Sequence, residues 1–171
     1  MKNIFLIAFL VIGVCRPPAQ VLLKFEDKDY NCGYKTKSGD TIVVAGKYAM
    51  CITDKITETG FVLDTARGFV CIDNKGKYLY TVFNYDNGPD YISNGLYRIV
   101  EDGKIGYANN HGIIIIKPQY KCAWPFEKGM ALVSYNCNIV KEGELNLWKG
   151  GDWFYIDKKG KKLDKKVESL K

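Results

Sequence analysis

The chain has one histidine, His111, set in IGYANNHGIIIIKPQY (residues 105–120) between two asparagines and four isoleucines. A lone histidine serves as a general base only where a nucleophile and an orienting third group stand beside it. No GxSxG or equivalent accompanies it, and no serine or cysteine is nominated as its partner. Asp86, Asn87 and Asp90 in NYDNGPDY (84–91) supply the oxygens a calcium ion wants, but the ordered EF-hand spacing and terminal glutamate are missing. That segment reads as a turn between strands. No carboxylate pair stands out for glycoside hydrolysis. Five cysteines lie beyond the first twenty residues: Cys32, Cys51, Cys71, Cys122 and Cys137. No CxxC or Cys/His cluster exists, so a zinc site is not expected. They are disulfide candidates or small core residues, and an odd count leaves at least one thiol free or paired between chains. No catalytic residue, metal site or cofactor is nominated.

MKNIFLIAFLVIGVCRPPAQ opens with Lys2, then eleven uncharged residues from Ile4 to Val14, then Arg16-Pro17-Pro18 and the small Ala19. That order is expected of a signal peptide, and the apolar run is too short to span a bilayer as a helix. Residues 1–19 are therefore read as a signal peptide cut after Ala19, with lipoprotein processing before Cys15 as the alternative. Pro17 and Val14 fit poorly in the small-residue positions of those respective cuts. The expected compartment is outside the cytoplasm: periplasmic, outer-membrane-associated or secreted, where disulfides are allowed.

The formal charge of +6 falls to +4 without Lys2 and Arg16. Residues 158–171 hold seven lysines against Asp164 and Glu168, leaving 20–157 with 16 basic and 17 acidic residues. Nucleic-acid binding is not expected, because a reader of nucleic acid spreads basic residues over a folded face. The lysine-rich end, 164–171, reads as a solvated tail with a weak contact to an anionic surface left open.

Set on itself, the chain repeats. Cys32 to Gly39, Phe69 to Gly76, Ile105 to Gly112 and Trp153 to Gly160 share one frame, their glycines 37, 36 and 48 residues apart. Tyr48, Tyr85 and Tyr120 follow eight or nine residues past three of these glycines. Then come strands marked by Gly60, Gly95 and Gly129. Each unit reads as a strand running into Asp/Asn/Thr-x-x-Gly, where the side chain starts a type I turn and the glycine takes positive φ, then a return strand. TVFNY and IIIIKPQY are the return strands, and Pro118 suits an edge. His111 then falls on a turn position occupied elsewhere by Ser38, Lys75 and Lys159, and is expected to face solvent. The class is all-β.

The pattern resembles the WG-repeat family, whose units run aromatic-Gly-Tyr-Ile-Asp-x-x-Gly, Ile-x-Pro-x-Tyr and Phe-x-x-Gly-x-Ala-x-Val. Residues 105–133 carry it through Gly106, Tyr107, Gly112, Pro118, Tyr120, Phe126, Gly129, Ala131 and Val133. The other units are degenerate: Cys32-Gly33 keeps the glycine, Trp153-Phe154 the tryptophan, Phe69-Val70 neither. The resemblance implies about three and a half stacked β-hairpin units over 20–163, frequent export by bacteria, and no catalytic residues to transfer. It implies a binding or assembly role, with an unknown protein partner expected. The alternative is a cell-envelope enzyme or enzyme inhibitor with its site on a concave face; an effector delivered outside the cell is a third.

The spacing before Gly160 inserts about a dozen residues. Within 135–153, NIV-KEGE-LNLW reads as an extra hairpin or protruding loop. Lys141, Glu142, Glu144, Leu145, Trp148 and Lys149 are its candidate partner-binding residues.

Overall fold

The computed structural model describes residues 20–143 and 145–167. The signal-peptide reading of 1–19 lies outside the described residues. The described chain is all-β. The first unit is β1 (Leu22–Glu26), β2 (Cys32–Thr36) and β3 (Thr41–Val43), followed by short strands β4 (Met50–Cys51) and β5 (Lys55–Ile56). The second is β6 (Thr59–Asp64), β7 (Gly68–Asp73) and β8 (Tyr78–Val82), followed by β9 (Asn84–Tyr85) and β10 (Gly88–Pro89). The third is β11 (Leu96–Glu101), β12 (Lys104–Asn109), β13 (Ile114–Tyr120) and the short β14 (Cys122–Ala123). The fourth pairs β15 (Met130–Ser134) with β18 (Trp153–Asp157), and between them stand β16 (Asn138–Glu142) and β17 (Leu145–Lys149).

Local chemistry accounts for the four repeat turns. Oδ1 of Asp73 accepts the amides of Lys75 and Lys77, Oδ1 of Asn109 those of His111 and Ile113, and Oδ1 of Asp157 those of Lys159 and Lys161. The Thr36 hydroxyl accepts the Asp40 amide in the first unit. The closing glycines donate to the turn-opening carbonyls, and all four have φ between 73° and 99°. The two amides held by Asp157 keep its carboxyl below the usual range, the Lys161 amide most. A fifth turn of the same form, opened by Asp27, joins β1 to β2 with Tyr30 at φ 61° in the glycine's place. Each return strand then carries the same one-residue bulge, at Ile42, Leu79 and Ile115.

The core is divided between neighbouring units, as expected of a repeat array. One cluster joins Leu22, Tyr34 and Val43 of the first unit to Val62, Val70 and Ile72 of the second. The next joins Phe69, Cys71, Tyr80 and Val82 to Tyr97, Ile99 and Ala108. The third joins Ile105, Tyr107, Ile116 and Tyr120 to Ala131, Val133 and Ile156. Strands β7 and β12 are therefore buried on both faces. The turns lock the array as well: Asn74 donates to the carbonyls of Gln20 and Thr57, and Lys158 to that of Asn94.

Register corrects two of the repeat alignments. Thr59 faces Asp73, Leu96 faces Asn109 and Met130 faces Asp157. Glu58, not Gly60, is therefore the counterpart of Gly95 and Gly129. Gly60 has none of their positive φ (84° and 81°), and lies where Tyr97 and Ala131 lie. Tyr85 is not the counterpart of Tyr48 and Tyr120 either, which are buried while it is 49 % exposed. Cys51 faces Val62, Val82 faces Ile99 and Ala123 faces Val133. The path from turn glycine to these residues is thus 12, 6 and 11 residues long, and the second return strand is cut short. TVFNY is accordingly split: Thr81 and Val82 end β8, while Asn84 and Tyr85 form β9.

Candidate functional site

The inserted hairpin is a regular two-stranded ribbon in which Glu142 faces Leu145, Ile139 faces Trp148 and Asn138 faces Lys149. Strand β16 is exposed throughout. The disulfide Cys122–Cys137 fastens its base to β14, and Cys32–Cys51 ties the first unit to the link that follows it. Cys71 keeps a free, buried thiol, its ionisation pushed up by burial. Bridges spanning 15 and 19 residues each remove about 3 kcal/mol of unfolded-state entropy. C122S/C137S is therefore expected to lower urea-measured stability by about 3 kcal/mol. It should also loosen the hairpin, read as a change in tryptophan emission before global unfolding.

Of the four hairpin candidates whose side chains are described, Lys141, Glu142, Trp148 and Lys149, Trp148 is the one that packs into the body. Lys149 and Glu142 pair with each other across the ribbon, both 54 % exposed, and Lys141 faces solvent. Leu145 starts β17, and Glu144 lies outside the described residues. Trp148 packs edge-to-face on Phe83 (centroids 6.1 Å apart) and on Trp124 (5.2 Å), with Trp153 at 6.3 Å. The chain's three tryptophans thus form one cluster. Trp153 also donates its indole N–H to the Gly150 carbonyl, closing the hairpin's exit.

Beneath this cluster lies an ion pair the sequence reading missed. Arg98 and Asp90 are both buried, and the guanidinium grips the carboxylate with two bonds, Nη2–Oδ1 at 2.6 Å and Nε–Oδ2 at 2.9 Å. Asp90 Oδ2 also accepts the Arg98 amide, and Arg98 Nη1 donates to the Ala123 carbonyl. The guanidinium carbon sits 4.0 Å above the Phe83 ring and 5.6 Å from that of Tyr85, which packs on Tyr91. NYDNGPDY is thus a turn, as expected, but also the arm that delivers Asp90. Tyr85, Tyr91 and Trp124 remain 44–49 % exposed, so the cluster reaches the surface. One signal for it was available: Arg98 interrupts an apolar run in a strand whose register buries it, and such a charge needs a partner.

His111 faces solvent as expected, and its Nδ1 lies 2.5 Å from Glu58 Oε2, also exposed. Burial lifts the phenol of Tyr107, which donates to the Trp124 carbonyl, and takes that of Tyr120 to about 12. Shallow hollows of about 250 Å³ and about 300 Å³ lie beside Cys32–Cys51 and over β8 and β11. Among the described residues, no three His, Cys, Asp or Glu side chains gather as metal ligands, and no helix is long and apolar enough to cross a membrane.

Residues 105–136 match the family model described as WG containing repeat. The chain carries a WG repeat. The match covers β12, β13, β14 and β15, so the WG repeat runs from one unit into the first strand of the next. Strand register makes the remaining units variations on the same plan. No curated protein and no solved structure matches the chain.

Proposed function

We propose that the chain is an exported, non-catalytic binding module that holds a protein partner at the aromatic surface completed by the inserted hairpin. The observation that carries this reading is the meeting of all three tryptophans with Phe83, Tyr85 and Arg98 where the repeat is broken. Tryptophan and tyrosine are enriched at binding hot spots, because they bury large rigid surfaces at low entropic cost. Here Trp124, Tyr85 and Tyr91 reach the surface, while the buried Arg98 holds Phe83 and Tyr85 from below. Two disulfides support an oxidising compartment, in line with the expected signal peptide. The repeat array supplies the rigid scaffold such a surface needs.

The test is affinity capture from envelope extract, followed by titration of the captured protein. Trp124→Ala is expected to weaken binding by tenfold or more, about 1.4 kcal/mol, with the fold intact because that ring is half-exposed. Deletion of 138–149 should weaken it further. Wild-type affinity in both variants would end the proposal.

A further inference from the structure

A second surface, separate from the aromatic one, departs from the repeat in the opposite sense. The two positions after the turn glycine are polar or half-polar in three units: Asp40-Thr41, Lys77-Tyr78 and Lys161-Lys162. In the WG repeat they are Ile113 and Ile114, 59 % and 42 % exposed, and Ile115 beside them is 40 % exposed. Packing does not explain Ile113 and Ile114, since the same fold is built elsewhere with polar or charged residues at those positions; Ile115 is the bulge residue, apolar as Ile42 and Leu79 are in the other units. The isoleucines lie on and beside β13, the edge strand of the seven-stranded sheet.

What lies next to them identifies the occupant. The last repeat turn, Asp157–Lys161, is seated against the face of β13 opposite Ile114: a Cβ on Gly160 would stand 3.5–3.6 Å from the buried Ile116 side chain, which pairs with Tyr107 while Ile114 pairs with Ala108. Residues 158–167 hold six lysines against the single acid Asp164, and all six are exposed. Lys117, on β13 itself, is exposed too. Viewed edge-on, β13 thus carries exposed isoleucines and Lys117, with the lysine-rich turn packed against its other face, and such an edge complements a surface that is apolar within and negative at its rim. We propose that this edge is a docking face for an anionic lipid bilayer, with Ile113–Ile115 entering the headgroup boundary and the lysines of 158–167 meeting the anionic headgroups. A protein strand or a second copy would use the edge differently. The bulge at Ile115 and Pro118 within β13 disrupt the ladder that strand addition requires.

The test is vesicle co-sedimentation of the full chain, residues 1–19 being common to every variant so that their contribution cancels. Binding to phosphatidylcholine vesicles carrying about 30 % phosphatidylglycerol is expected to be at least about tenfold tighter than to phosphatidylcholine alone, and the preference should shrink in about 0.5 M salt. Two variants divide the face. I113S/I114T, polar as in the other units, should weaken binding to the anionic vesicles about tenfold. K159Q/K161Q/K166Q should weaken it about a hundredfold, near fivefold per lysine. Lys158 and Lys165 are kept because they contact the Asn94 carbonyl and the Tyr155 ring. Should I113S/I114T unfold, I114T alone carries the apolar arm. Equal binding to both vesicle types would overturn the proposal. So would loss in the lysine variant with none in the isoleucine variant, which means a polycation contact only. A concentration-dependent dimer that I113S/I114T dissolves would assign the face to a second copy instead.

Discussion

Asp90→Ala is expected to lower the unfolding free energy by about 3–5 kcal/mol, a fall in Tm of about 6–20 °C for a chain of this size. The variant leaves the Arg98 guanidinium, 3 % exposed, with its charge desolvated and two hydrogen bonds lost, and it strips the Arg98 amide of its acceptor. Only the Ala123 carbonyl remains, at 3.3 Å. Arg98→Met should be comparably damaging for the mirror reason: a carboxylate with no exposed surface then keeps one backbone donor and no cation. The double variant D90L/R98M separates charge from shape. With both ions gone, no buried charge is orphaned, and stability should return to within about 2 kcal/mol of the parent. Urea denaturation followed by tryptophan emission reads all three, because Phe83 stacks on both Arg98 and Trp148. A single-variant loss below about 1 kcal/mol would mean that the pair is solvated.

That pair also shows where sequence reasoning stops. The repeat turns were legible because Asp/Asn/Thr-x-x-Gly is local chemistry: the side chain reaches amides two and four residues away, and the glycine relieves a φ cost in the same loop. Asp90 and Arg98 are eight residues apart, but their meeting depends on the β9–β10 ribbon folding its end under β11, which no local pattern encodes. The two misalignments have the same origin. Placing Gly60 with Gly95 slips the first link by two residues, and an even slip leaves every side chain on its face of the strand. Apolar alternation is blind to it; only backbone pairing detects it. Tyr85 was misplaced because the second return strand loses about half its length before Val82, and the link carrying β9 and β10 makes it up before β11 begins at Leu96. In the inserted hairpin the extra length was legible from glycine spacing. Which of its residues would face the body was not, since Trp148 finds Phe83 and Trp124 across three different units of sequence.

The glycine of the repeat motif itself gives the other large expected effect. Gly33 and Gly106 stand at one repeat position, where the second and fourth units have Val70 and Phe154. The difference follows the return strand. In the first and third units it makes a long excursion that passes over the motif glycine: a Cβ on Gly33 would lie 2.6 Å from the Val43 carbonyl oxygen, and one on Gly106 would lie 2.5 Å from the Pro118 nitrogen and collide with the Ile116 carbonyl oxygen. In the second unit the excursion is cut short, and in the fourth the described residues return over β18 only at the Ile156–Lys162 bridge, so a side chain fits. Gly106→Ala is therefore expected to cost about 3 kcal/mol or more, because the obstructing atoms are backbone and cannot rotate aside. Gly60→Ala is the contrast to measure against it. Its Cβ would also be crowded, 2.5 Å from Cγ1 of the buried Ile56, but the obstruction is a side chain that can repack rather than backbone, and the cost should be lower, about 2 kcal/mol. Neither glycine has the positive φ that would penalise alanine by itself, so the comparison isolates what lies overhead. If thermal denaturation finds G106A no worse than G60A, the return strand does not close over the motif, and the identity of residue 106 is set by something other than β13.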